Sequence, residues 1–191
     1  MTKPAVFLDR DGVLVEDEGL LAPVTLRLLP GVPKALARLQ RAGFALVVIT
    51  NQPIVARGLA REVDVERAHE EIRTRIEDAG GPRLEHFYYC PHHPRATLEP
   101  YRVDCECRKP KPGLLRRAAA ELDLDLTRAY MVGDRISDVA AGAAAGCRTI
   151  LVETGRHLDP PIETITPIDR TLRADSICAD LPAAVDWILR Q

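Results

Sequence analysis

Short apolar runs rich in branched side chains alternate along this chain with stretches whose apolar residues recur at helical intervals. The apolar runs, each of which predicts a buried strand, are residues 6–8, 44–49, 87–89, 130–132 and 149–152. The helical stretches are residues 32–42, 64–79, 114–122, 138–145 and 181–189. This alternation predicts an α/β fold, a Rossmann-like parallel sheet with helices on both faces. Residues 155–173 carry three prolines and no clear period, which predicts an irregular connection.

The length and charge of the chain narrow the classes of function. A chain of 191 residues suits one domain, spanning residues 1–191, with only small insertions. A net charge of -2 with 28% charged residues gives no electrostatic reason to expect nucleic acid or a membrane as partner. The N-terminus lacks the pattern of a signal peptide, and no apolar run is long enough to cross a bilayer. We therefore expect a cytoplasmic monomer that acts on a small molecule.

Two acidic residues follow the first predicted strand. Asp9 and Asp11 stand at alternate positions, and Gly12 frees the backbone just beyond them. A turn at this point lets both carboxylates converge on one metal ion and one phosphorus atom, one for attack and one for proton transfer. The alternative is a solvated turn at the strand end, because Asp and Gly are ordinary turn residues.

Polar clusters also follow two other predicted strands directly. Thr50, Asn51 and Gln52 follow the second strand, and Asp134 follows the fourth. In open parallel sheets the ligand lies beyond the carboxyl ends of the strands, so these clusters are expected to meet at one site. Taken singly, each has a structural alternative: Thr50 as a helix cap, Asn51 in a turn, and Asp134 as an N-cap.

A second group of residues has the spacing of a metal site. Cys90 and His92 are separated by one residue, twelve residues follow, and Cys105 and Cys107 are again separated by one. Residues two apart in an extended segment project to the same side, so each pair can bind one ion from opposite arms of a loop. Three thiolates and one imidazole make a closed structural zinc site. His93 points the other way, and the alternative is reduced cysteines beside a surface histidine pair.

The acidic and polar segments occur in the order of the four motifs of the haloacid dehalogenase (HAD) superfamily, which this chain resembles. Asp9-Arg10-Asp11-Gly12 matches the first motif, residues 50–52 the second, Lys109 the third, and Gly133-Asp134 with Asp138 the fourth. Most members of the superfamily are magnesium-dependent phosphatases. The resemblance implies that Asp9 attacks phosphorus to form an aspartyl-phosphate, while Asp11 protonates the leaving oxygen and then activates water.

The same resemblance assigns a cofactor and its ligands. Magnesium would be bound by Asp9, the backbone carbonyl of Asp11, and Asp134. Lys109 would place a positive charge on the phosphoryl oxygens, and the Thr50 hydroxyl would donate a hydrogen bond to one of them. Whether Asp138 contacts the metal directly or through another residue is left open by the sequence.

The zinc loop, at about residues 90–107, resembles the branch of the superfamily that contains heptose bisphosphate phosphatases and histidinol-phosphatases. In that branch such a loop forms a minimal cap over the active site. The implied substrate is a small phosphorylated metabolite: heptose 1,7-bisphosphate first, then histidinol phosphate or another small sugar phosphate. The implied substrate-binding residues are Asn51, Gln52, Arg57, Arg108 and Arg135.

The chain departs from the branch after its second motif. The branch continues that motif as Ser-Gly-Ile, whereas Pro53, Ile54 and Val55 stand here. A rigid ring and a branched side chain thus replace a hydroxyl and a flexible glycine. Residues Gly19-Leu20-Leu21, expected near the pocket mouth, are also more apolar than a sugar-binding loop requires. Both features weaken the assignment of the substrate while leaving the chemistry in place.

A non-enzymatic class is the remaining alternative. A zinc-loop protein of this fold could bind a phosphorylated ligand or a partner without turning it over. The intact Asp9, Asp11, Lys109 and Asp134 argue against this class, because pure binding would not require a nucleophile.

Overall fold

The computed structural model describes residues 2–17, 26–156, 168–169 and 171–191. Within them, six parallel strands form one sheet in the order β3-β2-β1-β4-β5-β6. The strands are β1 (Ala5–Leu8), β2 (Ala45–Asn51), β3 (His86–Cys90), β4 (Tyr130–Gly133), β5 (Arg148–Val152) and β6 (Ser176–Cys178). The helices are α1 (Val32–Arg41), α2 (Glu62–Asp78), α3 (Gly113–Leu122), α4 (Ile136–Ala145) and α5 (Leu181–Ile188).

Strand β1 shows how the sheet is buried on both faces. Val6 and Leu8 belong to one core cluster, which also contains side chains of α1, α2 and α5. Ala5 and Phe7 belong to a second cluster, which contains side chains of α3 and α4. All four β1 residues are fully buried because successive side chains of a strand point to opposite faces and helices cover each face. The predicted fold class is confirmed.

The strand order reverses beside β1, and this places the site. β1 pairs with β2 on one side and with β4 on the other. Just beyond the strand, the Asp9 backbone N–H donates to the Val132 carbonyl at 2.9 Å. The connections leave this point in opposite directions, which opens a crevice at the carboxyl ends of β1 and β4.

The predicted elements are present with small shifts at their ends. α2 begins at Glu62 because the Asp64 carboxylate accepts a hydrogen bond from the Arg61 backbone N–H at 3.0 Å and caps the first turn. The short edge strand β6 was not predicted. Within the predicted irregular connection, residues 157–167 and 170 lie outside the described part of the chain, as do Gly19-Leu20-Leu21.

Among the described residues, no helix is both long enough and apolar enough to cross a membrane.

Candidate active site and zinc site

Three carboxylates meet at the carboxyl ends of β1 and β4. Asp9 follows β1, Asp134 follows β4, and Asp138 lies in the first turn of α4. One oxygen from each lies within 4.8 Å of the others, and all three residues are buried. Burial raises the pKa of Asp9, and the neighbouring Asp138 raises it further against the opposing effect of Lys109. Such a cluster is unstable as three bare anions and requires cations.

Lys109 supplies one cation. Its ammonium lies 2.9 Å from Asp9 Oδ1 and 2.6 Å from Asp138 Oδ1, and it donates to the Ile49 carbonyl at 2.8 Å. Burial alone would lower the pKa of Lys109, but the two carboxylates outweigh it and raise the pKa to about 12. The side chain is therefore a fixed positive charge at the end of β1. Lys109 was predicted to lie here, and the structure brings it to Asp9.

Asp134 has the features of a metal ligand. Its Oδ2 accepts from the Arg156 backbone N–H at 2.7 Å, but none of the described residues donates to its buried Oδ1. Burial first, and then the charges of Asp138 and Asp9, raise the pKa of Asp134 to about 8. A side chain on Gly12 would meet Asp134 Oδ2 at 2.6 Å, and one on Gly155 would overlap the same oxygen.

A divalent cation fits these observations. Carboxylate oxygens are the donors that Mg²⁺ prefers, and an ion beside Asp9 and Asp134 would satisfy the unpartnered oxygen and offset the excess negative charge. Asp138 differs, because its Oδ1 pairs with Lys109 and its Oδ2 accepts from the Arg135 backbone N–H at 3.0 Å. Asp138 therefore supports Lys109 through its charge. Its buried Oδ1 has no aligned hydrogen bond from the described residues, so it also lies within reach of a cation bound by Asp9 and Asp134.

Asp11, the second acid of the first motif, lies in a separate network. Arg10 Nε and Nη2 donate to its carboxylate at 2.9 to 3.0 Å, and Gln52 Nε2 donates to it at 2.9 Å. Gln52 Nε2 also donates to Thr50 Oγ1 at 3.0 Å, and Gln52 Oε1 accepts from Arg10 Nη2 at 3.0 Å. Gln52 was predicted to bind substrate, and in this structure its amide contacts these three side chains. Arg10 received no role from the sequence.

Asn51 joins the second and third motifs. Its Nδ2 donates to the Lys109 carbonyl at 3.0 Å, and its Oδ1 accepts from the Lys109 backbone N–H at 3.1 Å. Both ends of the amide therefore fix the backbone that carries the Lys109 ammonium. Asn51 was predicted to bind substrate, and in this structure its side chain binds the backbone of Lys109.

Arg135 lies at the other side of the crevice. Its Nη2 donates to Asp17 Oδ2 at 3.1 Å, and Arg156 Nε lies 2.8 Å from the same oxygen. Since the Arg156 backbone N–H also donates to Asp134, this group is connected to the carboxylate cluster. Neither Asp17 nor Arg156 belongs to a motif, so sequence reasoning did not find them.

The predicted zinc ligands converge. The Sγ atoms of Cys90, Cys105 and Cys107 lie 3.0 to 3.4 Å apart, too far for disulfide bonds, and His92 Nδ1 lies 3.4 Å from Cys107 Sγ. All four donor atoms lie within 4.8 Å of one another, as a tetrahedral zinc site requires. His93 is not part of the cluster. Its ring Nδ1 accepts from the Arg95 backbone N–H at 3.1 Å.

Contacts within the cluster favour ionisation of one thiol. Contacts with Cys90, and then with Cys105 and His92, lower the pKa of Cys107 to about 5, while the contact with Cys107 raises the pKa of Cys90. One thiolate is thus shared among several donors. A zinc ion would replace these donors, bind all three sulfurs as thiolates and leave no open position for catalysis.

The zinc loop is fastened to the rest of the chain on two sides. Glu62, at the start of α2, accepts from the Tyr89 hydroxyl at 2.8 Å and from the Tyr101 hydroxyl at 2.9 Å. The backbone N–H groups of Thr97 and Leu98 both donate to the Ala56 carbonyl at 3.1 Å. The loop therefore forms a lip that is held against the segment after β2.

That segment contains the unusual Pro53 and Ile54. Ile54 is only 7% exposed and packs in a small apolar cluster with Val55 and Val65, against which Tyr89 and Tyr101 also pack. The branched side chain therefore fills space under the lip. Its presence does not require an apolar substrate.

Cationic side chains gather beside the lip. Arg108 Nη1 donates to the His92 carbonyl at 3.1 Å, and Arg57 is exposed nearby. Burial lowers the pKa of Arg108, and the charge of Arg57 lowers it further. Burial likewise lowers the pKa of His93, followed by the charges of Arg108, Arg57 and Arg95. We call Arg57, Arg95 and Arg108, with the uncharged His93 beside them, the cationic lip, and this group can bind an anion.

Comparison with known proteins identifies the class of this site. A family model described as haloacid dehalogenase-like hydrolase matches residues 11–143, and a HAD-hydrolase-like model matches residues 106–184. The chain belongs to the haloacid dehalogenase-like hydrolases. The predictions of family, fold and hydrolase class are therefore confirmed.

Within the family, the chain is similar to named heptose phosphatases. It is 40% identical over 187 residues to the D-glycero-beta-D-manno-heptose-1,7-bisphosphate 7-phosphatase of Photorhabdus laumondii, covering 97% of this chain and 96% of that protein. The Escherichia coli K12 enzyme of the same name is 40% identical over 184 residues, 95% of this chain and 93% of that one. A crystal structure of D,D-heptose 1,7-bisphosphate phosphatase from B. bronchiseptica, complexed with magnesium and phosphate, aligns with a TM-score of 0.81 and 33% identity over 98% of each chain.

Proposed function

We propose that this chain is a magnesium-dependent phosphatase that hydrolyses the 7-phosphate of D-glycero-β-D-manno-heptose 1,7-bisphosphate. One observation carries the chemistry: the buried carboxylate of Asp9 lies 2.9 Å from the fixed ammonium of Lys109, in one cluster with the unpartnered Oδ1 of Asp134. A nucleophile lies beside a cation site in a crevice. The similarity to heptose phosphatases over nearly the whole chain supports the substrate.

Asp9 is the proposed nucleophile. The Arg10 backbone N–H, at 2.8 Å, and Lys109 both contact Asp9 Oδ1. None of the described residues donates to Oδ2, so that oxygen is available to attack phosphorus while the P–O bond to C7 breaks. Water then attacks the phosphorus of the aspartyl-phosphate, which releases inorganic phosphate and restores Asp9.

Two other predicted residues serve the phosphoryl group and its leaving oxygen. The Thr50 hydroxyl accepts from Gln52 at 3.0 Å, which leaves its own hydrogen free to donate to a phosphoryl oxygen. Asp11 gives its proton to the departing C7 oxygen and later takes one from water. Asp9, the Asp11 carbonyl and Asp134 would hold Mg²⁺, whose charge offsets the repulsion between the carboxylate and the phosphate.

The cationic lip favours a substrate with a second phosphate. Burial, and then the charge of Arg57, lower the pKa of Arg108, and a bound anion would offset both effects. Histidinol phosphate, whose amine is cationic, would be repelled at the same place. A bisphosphate, with one phosphate at Asp9 and one at the lip, satisfies both sites. Arg135, held by Asp17, is then placed to contact the sugar between them.

The proposal also covers the domain organisation, the oligomeric state and the cellular compartment. The chain works as one domain, with residues 90–107 as its lip, and as a cytoplasmic monomer. Three reduced thiols gathered for a metal support a reducing compartment. The small net charge of -2 supports a small-molecule partner over nucleic acid.

Phosphate release in the presence of Mg²⁺ tests the proposal. The substrates are heptose 1,7-bisphosphate, heptose 7-phosphate, histidinol phosphate and several hexose and pentose phosphates, and ³¹P NMR identifies the phosphate that is lost. We expect preference for the bisphosphate, loss of the 7-phosphate alone, and no turnover by Asp9→Asn. Arg108→Met should raise KM for the bisphosphate far more than for heptose 7-phosphate.

Two other outcomes of this assay would distinguish a different substrate from a protein that only binds. Preference for another phosphate ester, still abolished by Asp9→Asn, would keep the mechanism and reject the heptose substrate. No release from any ester would favour the binding protein over the enzyme.

A further inference from the structure

Arg10 and Gln52 form a closed ring of hydrogen bonds around the Asp11 carboxylate. Arg10 Nη2 donates to both Asp11 oxygens and to Gln52 Oε1, at 2.9 to 3.0 Å, and Gln52 Nε2 closes the ring on Asp11 Oδ2 at 2.9 Å. We call this arrangement the Asp11 clamp. Every polar atom of the Gln52 amide is used in it or in the bond to Thr50.

The clamp is rigid because it is buried. Arg10 is 8% exposed and Gln52 is 4% exposed, so neither can turn to solvent without leaving unpaired polar groups inside the protein. The Arg10 carbonyl also accepts from the backbone N–H groups of Leu14 and Val15, at 2.9 and 3.1 Å, which fixes the start of the turn. A planar guanidinium and an amide thus determine the orientation of one carboxylate.

The clamp holds Asp11 on the open side of the site. The Asp11 side chain is 29% exposed, whereas that of Asp9 is 10% exposed. A phosphoryl group attacked by Asp9 must have its leaving oxygen on the side away from Asp9, because attacking and leaving oxygens lie roughly in line. Asp11 is the more exposed of the two acids, and we place it on that side.

We propose that Arg10 and Gln52 are positioning residues for proton transfer, which act by holding Asp11 toward the leaving oxygen. Both Asp11 oxygens accept hydrogen bonds in the clamp, so one of these donors must leave when Asp11 takes up the proton that it then gives to the leaving oxygen. This inference rests on the proposed function and adds two residues to its mechanism. Gln52 acts twice, since the same Nε2 that holds Asp11 also orients Thr50. The clamp therefore couples the proton donor to the group that contacts the phosphoryl oxygens.

Leaving-group dependence distinguishes positioning of an acid from general damage. An alkyl phosphate needs a proton on its departing oxygen, whereas p-nitrophenyl phosphate departs as a stable phenolate without one. The value of kcat/KM reports the step in which this group leaves. The variants are Gln52→Met, which keeps the shape without the amide, and Arg10→Lys, which keeps the charge without the planar fork.

We expect Arg10→Lys to lose about 100-fold in kcat/KM on heptose 1,7-bisphosphate and less than about fivefold on p-nitrophenyl phosphate, in line with the usual contribution of a general acid. Gln52→Met also removes the bond to Thr50, so it should lose activity on both esters, and more on the bisphosphate. Asp11→Asn removes the acid itself, so it should show the largest difference between the losses on the two esters. The double variant Asp11→Asn/Arg10→Lys should be no slower than Asp11→Asn alone, because Arg10 has no bond to Thr50 and acts on the reaction through Asp11. Gln40→Met, at an exposed glutamine of α1, should change neither rate.

Equal losses on both esters, or additive losses in the double variant, would overturn the proposal. Thermal melting of each variant shows whether it is folded. If Gln52→Met does not fold, Arg10→Lys alone is used for the comparison of the two esters. Failure of the proposed function looks different: wild-type protein would then hydrolyse p-nitrophenyl phosphate but not the heptose ester. In that case the best-hydrolysed alkyl phosphate of the panel takes its place in the same comparison.

Discussion

The Lys109 ammonium lies 2.6 Å from Asp138 Oδ1, with both side chains at most 2% exposed. Because Asp9 Oδ1 lies 2.9 Å from the same ammonium and the Ile49 carbonyl accepts from it at 2.8 Å, three groups hold the ammonium in place. Asp138 in turn is fixed by the Arg135 backbone N–H. The third and fourth motifs thus act as one unit that points a positive charge at Asp9.

Replacing Asp138 by Asn should therefore damage both catalysis and stability. The loss of one partner of a buried ion pair costs about 3 kcal/mol or more, because the other charge stays buried. We expect kcat to fall by about 100-fold or more, as for the loss of one preorganised electrostatic group, with a smaller change in KM. Steady-state kinetics and urea denaturation measure the two effects.

Asp186→Asn is the matched control for this substitution. Asp186 pairs with Arg38 at 2.6 Å on the surface, where its side chain is 52% exposed. Exposed pairs contribute about 1 kcal/mol at most, so this variant should be nearly as stable and as active as the wild type. Equal effects of the two substitutions would contradict the role given to Asp138.

Magnesium binding should release a proton below pH 8. The pKa of Asp134 is raised from its usual 3.8 to about 8 in the metal-free chain, chiefly by burial. Mg²⁺ requires the carboxylate, so the apparent affinity for Mg²⁺ should rise with pH up to about 8 and then level. Calorimetry at pH 6.5 in buffers of different ionisation enthalpy measures the proton released.

The same shift predicts the sign of a stability effect. A carboxyl whose pKa is raised on folding binds its proton more tightly in the folded state, so its contribution is present below pH 3.8 and is lost as the pH rises to about 8. Metal-free protein should thus be destabilised through this group over that window, and Mg²⁺ should reverse the loss. A Mg²⁺ affinity that did not change between pH 6 and 9 would contradict both expectations.

The fold and the motif residues were predictable because each depends on local pattern. Buried apolar runs such as residues 130–132 are specified by burial on both faces of a sheet, and the sequence shows them directly. The edge strand β6 was missed because it has three residues, of which Ile177 is 63% exposed. A strand with so little burial leaves no apolar run to read.

The clamp and the pairing of Asp138 were not predictable, for a different reason. Arg10 lies between two motif acids, but only the tertiary fold brings Gln52, 42 residues away, to its guanidinium. Asn51 likewise has the composition of a turn residue, and its two bonds to the Lys109 backbone span 58 residues. Contacts of this kind depend on which strand ends are neighbours, and no local pattern contains that information.

Zinc should be required for the lip but not for the chemistry itself. Cys105→Ser should remove stoichiometric zinc and lower the melting temperature, because the loop would lose the ion that three sulfurs and His92 are placed to bind. KM for the bisphosphate should rise more than kcat falls, since the cationic lip borders this loop. Zinc content by metal analysis and steady-state kinetics measure these effects.

Cys147→Ala is the control for the zinc prediction. Cys147 is a buried thiol in the core cluster between β1 and α3, far in sequence from the loop, and burial raises its pKa to about 12. The Cys147→Ala variant should bind as much zinc as the wild type and have an unchanged KM for the bisphosphate. Loss of zinc in this variant, or retention in Cys105→Ser, would refute the ligand set.

Ile54 provides a test of whether the departure from the branch pattern alters substrate choice. The side chain is 7% exposed and packs with Val55 and Val65 beneath the lip. Ile54→Ala should therefore cost about 2 kcal/mol of stability, the lower end of the range for such truncations, because the cluster is small. The relative kcat/KM for heptose bisphosphate and other sugar phosphates should stay the same, since the side chain faces the cluster. Leu59→Ala, at a side chain that is 57% exposed, should change neither property. A shift in preference among the phosphate esters would place Ile54 in the pocket and reopen the choice of substrate.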